Sequence, residues 1–262
     1  MFEIVVIIVC AITLILLKIF LNINFKSIKD IGKTESKELE KLSKDFPNDE
    51  EMCKSILKKL NNENVKIKLE PEYNSCLYTV FNNTITLGKF QQNYMKIQTI
   101  AHECIHSCQN KKTLWFNFIF TNIYLIYFAV ILILELANSL PFSNIHMLIL
   151  IFFGSIQYII RSTLEIEAMI KAKYVAKEYI EDNEILDEEN KEKLLTEYDR
   201  VNAIGIPFMN YYLISKNIIK VLIFDIMVAF YLWFFYIILY LYNNYITFCH
   251  KQLTNKKCMY II

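Results

Sequence analysis

Four apolar stretches constrain this chain more than any other feature: Ile4 to Ile23, Trp115 to Leu136, Pro141 to Ile160 and Val221 to Tyr242. Each is long enough to cross the hydrocarbon core of a bilayer, which takes about 20 apolar residues. Lys18, Glu135 and Asp225 are their only charges, each near a stretch end where it can reach the interface. With 55% hydrophobic residues clumped in this way, the chain is too apolar for an ordinary soluble domain. The first stretch does not read as a signal peptide. Glu3 stands where a basic residue belongs, the apolar core is too long, and no small-residue cleavage site follows. It is expected to be an uncleaved anchor.

The positive charges at the stretch ends set an expected orientation. Lys26, Lys29 and Lys33 follow the first stretch, and Lys111 and Lys112 precede the second. Arg161 closes the third, and Lys216 and Lys220 precede the fourth. If every stretch crosses once, all of these lie on one side, against Lys251, Lys256 and Lys257 in the tail. Both long polar segments are therefore expected in the cytosol and both termini outside. The net charge of +1 creates no global field, and no nucleic-acid partner is expected. The seven cysteines (Cys10, Cys53, Cys76, Cys104, Cys108, Cys249 and Cys258) form no CxxC and no disulfide framework. They are expected to be reduced and mostly structural.

Six regions follow: an anchor at 1–23, a cytosolic unit at 24–114, a transmembrane hairpin at 115–160, a cytosolic helical segment at 161–220, a last transmembrane helix at 221–242 and a tail at 243–262. Within the first polar segment, "NDEEMCKSILKKL" places Met52, Ile56, Leu57 and Leu60 on one helical face, with acids in its first turn. "VKIKLE", "CLYTV" and "NTITLG" then read as strands, with "NN" turning into the last. A helix from about Gln91 to Asn110 follows. After the third stretch, "STLEIEAMIKAKYVAKEYI" is expected to continue the membrane helix into the cytosol. "VNAIGIPFMNYYLI" is too short to span and is expected on the membrane surface or against the cytosolic unit. The fold class expected is a mostly α multi-pass membrane protein with four transmembrane helices and a small cytosolic α+β unit.

The helix after "NTITLG" carries His102-Glu103-Cys104-Ile105-His106, an H-E-x-x-H pattern. Residues four apart on a helix lie about 40° apart around its axis, so both imidazoles leave one face and can bind one tetrahedral zinc. Glu103, about 100° round from His102, is poorly placed as a ligand and well placed as the general base toward a metal-bound water. Cys104 and Cys108 point away and are expected to pack in the core. A di-iron carboxylate site would need a second E-x-x-H, which the chain lacks, and multi-histidine oxygenases need more than its four histidines.

A structural or catalytic zinc needs a third protein ligand. His146 and His250 are expected on the wrong side of the membrane, so a glutamate is required, and Glu165, Glu167 and Glu178 are the candidates. Glu167 has Lys171 four residues on, the favourable order for a surface ion pair. Glu165 shares its helical face with Ala168, Met169 and Ala172, which suits close helix packing, although Arg161 or Ser162 would also pair with it there. Glu165 is the expected ligand. His106 lies nine residues before the second stretch and Glu165 five after the third, and these two stretches form a hairpin whose cytosolic ends emerge together.

The chain resembles the YugP-like neutral zinc metallopeptidases, small multi-pass bacterial membrane proteins, over about two-thirds of its length. "IAHECIHSCQ" matches the family's "AAHEVGHAIQ", and "EIEAMIKA" matches its "EFDASRRA". The resemblance assigns zinc binding to His102, His106 and Glu165 and catalysis to Glu103. It also implies a zincin-like cytosolic unit and, more distantly, similarity to HtpX-type and CAAX-prenyl membrane peptidases. Three positions depart from the family pattern: Ile105 replaces a glycine, Glu167 stands at its acidic position, and Met169 replaces a hydroxyl residue that would orient a histidine. By the same resemblance, residues 83 to 87 would be an exposed strand that pairs with substrate. Arg200, Tyr211 and Tyr212 are available to steady an oxyanion. The expected protein is a membrane-embedded zinc metallopeptidase of gluzincin type, with one zinc per chain, a peptide or protein substrate, the lipid bilayer as partner and its site on the cytosolic face. A non-enzymatic membrane scaffold with a structural metal is the competing expectation.

Overall fold

The computed structural model describes residues 2–31, 37–90 and 92–258, and beyond Phe230 it describes side chains only at Tyr240. Lys33, the end of the fourth apolar stretch as a packing surface, and the side chains of the tail, His250 among them, lie outside the described residues. The chain is mostly helical, with one small sheet. Helices α1 (Phe2–Phe20), α2 (Phe25–Ile31), α3 (Lys37–Leu42) and α4 (Asp49–Lys59) lead into strands β1 (Lys66–Leu69), β2 (Leu77–Thr79) and β3 (Thr84–Leu87). Helices α5 (Lys96–Cys108), α6 (Lys111–Leu136), α7 (Ser143–Asp182) and α8 (Glu188–Cys258) complete it.

Among the described residues, three helices are long and apolar enough to cross a membrane: Glu3–Phe20, Lys111–Leu136 and the first half of Ser143–Asp182. Their outward residues, such as Ile8, Leu16, Ile126, Ile133, Leu148 and Phe152, are exposed and apolar. That surface is unfavourable in water and ordinary in lipid. Where the three helices meet α8, a small core of Tyr124, Ile131, Leu150, Val221 and Phe224 closes them together.

The second core holds the polar unit. Asn48 caps α4 by accepting from the Glu50 N–H at 2.9 Å, and the acids of the first turn suit the positive end of the helix dipole. The stripe Met52, Cys53, Ile56 and Leu57 is buried against α5 and the sheet, while Leu60, at the helix end, is only half-buried. All three expected strands form. Asn83, at a φ of 51°, makes the turn between β2 and β3, because a short polar side chain tolerates the left-handed region. Gly88 then lets the chain pass under the preceding loop: a Cβ there would come within 2.3 Å of the Ser75 carbonyl oxygen.

The sheet order is β1-β3-β2, with β1 parallel and β2 antiparallel to β3. This corrects the expectation for residues 83 to 87. β3 is the central strand, hydrogen-bonded on both sides, and has no free edge for another chain. The strand left with one neighbour beside α5 is β2.

α7 runs 40 residues without a break, so the third apolar stretch does continue into the polar unit as expected. Its second half presents Ala168, Ala172 and Ala176, all buried, to the elements packed against it. Small residues there let α5 approach closely. α8 is likewise continuous and carries "VNAIGIPFMNYYLI" in its interior, with Pro207 inside the helix. That segment packs along α7 as part of one rod, and neither breaks nor lies apart. α8 also runs unbroken through residues 220 and 221.

Candidate metal centre

α5 is half-wrapped by its neighbours. Ile97, Ile100, Ala101 and Cys104 are fully buried on its inner side, which turns His102 and His106 toward α7. Cys104 faces Cys53, with sulfurs 3.8 Å apart, so it packs in the core as expected. Cys108 does not: it is exposed at the helix end.

The two imidazole Nε2 atoms lie 3.0 Å apart. Glu165 Oε2 stands 3.4 Å from that of His102 and 3.6 Å from that of His106. The three side chains together could hold one metal ion. In a tetrahedral zinc site with bonds of about 2 Å, neighbouring ligand atoms are about 3.3 Å apart. The observed separations bracket that value, and two imidazoles with one carboxylate form a donor set that zinc accepts, so the residues fit the ion. The competing glutamates are engaged elsewhere. Glu178 pairs with Lys59 at 3.0 Å, and Glu167 pairs with Lys171 at 2.5 Å.

Glu165 is anchored on its other oxygen. Arg161 Nη2 reaches Oε1 at 2.6 Å, which leaves Oε2 to the histidines. The Arg161 pairing and the metal-facing position therefore coexist on one carboxylate. Ser162 donates to the Ile159 carbonyl and takes no part. Burial raises the Glu165 pKa, but hydrogen bonds from His102 and His106 and the charge of Arg161 outweigh it and hold the carboxyl well below the usual range. Burial opposes a charge on His106, yet its contact with Glu165 raises its pKa above the ordinary imidazole value. Both shifts favour the charged forms of the pair, His106 as a cation and Glu165 as an anion.

His106 is oriented by a residue that the sequence did not single out. Gln109 follows the end of α5, and its Oε1 accepts the His106 Nδ1–H at 2.8 Å. Its Nε2 donates to the Leu164 carbonyl at 2.8 Å and to Glu167 Oε2 at 2.9 Å. That bridge joins α5 to α7 and leaves Nε2 of His106 as the ligand atom. Gln109 thus gives the His106 ring the orienting partner that the thioether of Met169 does not offer. Two signals were available: Gln109 lies three residues after His106, close to the same face, and it closes the quoted stretch "IAHECIHSCQ".

Glu103 is buried, and its carboxylate accepts the Tyr78 N–H from β2 at 2.6 Å. Burial raises its pKa above the ordinary carboxylate value, partly offset by the nearby histidines. Lys111, at the start of α6, fixes the same corner by donating to the Tyr78 hydroxyl at 2.6 Å and to the Ser107 carbonyl at 2.9 Å. A cavity of about 610 Å³ opens over the four site residues, with Cys76 to Val80 forming one wall. Of the three residues available to steady an oxyanion, only Tyr212 lines this cavity. Arg200 is paired with Glu197, and Tyr211 packs against Phe25. His146 bonds Tyr127 at 2.8 Å within the hairpin, away from the triad.

No protein-family model, curated protein or solved structure matches this chain.

Proposed function

We propose that this chain is a membrane-embedded zinc-dependent metallopeptidase of the YugP-like, gluzincin type, with four transmembrane helices and its site on the cytosolic face. The observation that carries this reading is the convergence of His102, His106 and Glu165, from two helices, beside a buried glutamate that is not a ligand. His102, His106 and Glu165 would hold the zinc, which would supply Lewis-acid chemistry toward a water and a peptide carbonyl.

The remaining tasks fall to the chain's own groups. Glu103, its pKa raised by burial, accepts a proton at a carboxylate oxygen and later returns one to the leaving amine. Its contact with Tyr78 sets where that oxygen lies. Gln109 and Arg161 hold the ligand atoms in place before any cation arrives. β2, one of the two edge strands and the one beside α5, forms the cavity wall along which an extended peptide would lie.

One observation favours the second reading, a scaffold with a structural metal. In this structure the Glu103 carboxylate ties β2 to α5, a purely structural use of the residue. Glu103→Gln separates the two readings, because the amide oxygen still accepts from Tyr78. A peptidase loses cleavage of an unstructured casein-like chain by a factor of about 10² to 10⁴ in that variant while keeping its zinc. Unchanged cleavage in Glu103→Gln would remove the general base from the mechanism.

A further inference from the structure

The cavity over the metal triad does not end there. It continues past Asn117, Phe118, Thr121 and Asn122 on α6, and past Arg161 to Gln157 on α7. Leu114 to Asn122 and Glu165 to Gln157 each span eight residue steps, so the cavity follows both helices for about 12 Å. Over the same two turns α6 exposes Trp115, Phe116, Ile119 and Ile123 outward, and α7 exposes Ile159. One helix thus shows hydrocarbon-type side chains outside and amides and hydroxyls inside, at one level.

Polar side chains within an apolar span are costly and are kept where they face a partner or a cavity. Here they are not used up by one another. Asn122 does donate back to the Phe118 carbonyl at 2.7 Å. Asn117 Oδ1, however, is shielded and has no hydrogen-bond partner among the described residues. Gln157, 7% exposed, accepts from Asn217 at 3.0 Å through Oε1, and its amide nitrogen donates to no partner among the described residues. An extended backbone carries one donor and one acceptor per residue, and these must be met wherever water is scarce. The amide nitrogen of Gln157 can meet such a carbonyl along the cavity, and Asn117 Oδ1, shielded as it stands, reaches a backbone N–H only if its amide turns toward the cavity.

Resting on the peptidase reading, we propose that the substrate is a membrane-anchored polypeptide. Its anchor lies in the bilayer beside α6 and α7, and its juxtamembrane residues thread the cavity to the triad. At about 3.3 Å per extended residue, 12 Å corresponds to about four residues between the anchor and the cleaved bond.

The test uses the full chain, zinc-loaded, in phosphatidylcholine vesicles with three substrates built on one casein-derived sequence. In the first the sequence is free. In the second it is fused directly to a single transmembrane helix, and in the third a flexible spacer separates helix and sequence. The proposal expects cleavage to cluster about four to six residues from the anchor in both fused chains, moving into the spacer in the third. Cleavage that stays with the casein sequence wherever the anchor lies would overturn it, as would equal efficiency on the free chain; either leaves the peptidase reading intact. No cleavage of any chain would remove the peptidase reading and the proposal with it. A readout independent of turnover comes from Phe118→benzoylphenylalanine in a Glu103→Gln background. Irradiation should crosslink the fused chain next to its anchor at least tenfold more than the free chain, and equal crosslinking would contradict the threading.

Discussion

Glu165 shows how much one side chain depends on its surroundings. Arg161 takes Oε1 at 2.6 Å, and the two histidines face Oε2 at 3.4 and 3.6 Å. A carboxylate on a helix facing alanines was legible in the sequence, and so was the H-E-x-x-H pair, because helical periodicity alone puts those groups on defined faces. The role of Gln109 was not legible. Its presence at the end of "IAHECIHSCQ" was visible, but its role arises only where α5 ends and α7 passes within reach, a tertiary fact. Gln109→Leu removes the acceptor for His106 and the donor to Glu167 at similar volume. Loss of such an outer partner should weaken zinc binding by about 10- to 100-fold, measured by competition with a chelator of known affinity. An unchanged dissociation constant would show that His106 needs no help from Gln109.

At the scale of elements, the contact between α5 and α7 decides whether the triad exists. Ala168 and Ala172 are at most 1% exposed, leaving no room for a larger side chain. Ala168→Leu should overpack this contact at a cost of about 1 to 3 kcal/mol and lower the melting temperature. It should also weaken zinc binding at least tenfold, although no ligand is touched; unaltered binding would mean that the helices have slack. Helices α4 and α5, the three strands and the extension of the third apolar stretch were readable from periodicity, whereas the continuous α8 was not. The strand order was not. β1 and β3 pair directly and in parallel although β2 lies between them in the chain, and nothing in a four-residue alternation announces which neighbour a strand will take. The expectation that residues 83 to 87 form an edge failed for that reason, and β2 holds the place beside the site.

Across the whole molecule, the polar unit is built on the ends of the apolar helices. α6 and α7 leave their apolar stretches and deliver Lys111, Arg161 and Glu165 directly to the site. A metal bound between α5 and α7 would therefore brace the sheet-bearing unit against the hairpin, coupling metal binding to overall stability. The measurement that tests this most directly is zinc content per chain in detergent-purified wild type and Glu165→Ala, with cleavage of a casein-like chain followed in the same preparations. The proposed site predicts one zinc in wild type, none after dialysis in Glu165→Ala, and cleavage that a chelator abolishes and added zinc restores. Zinc retained in full by Glu165→Ala, or absent from wild type, would contradict it.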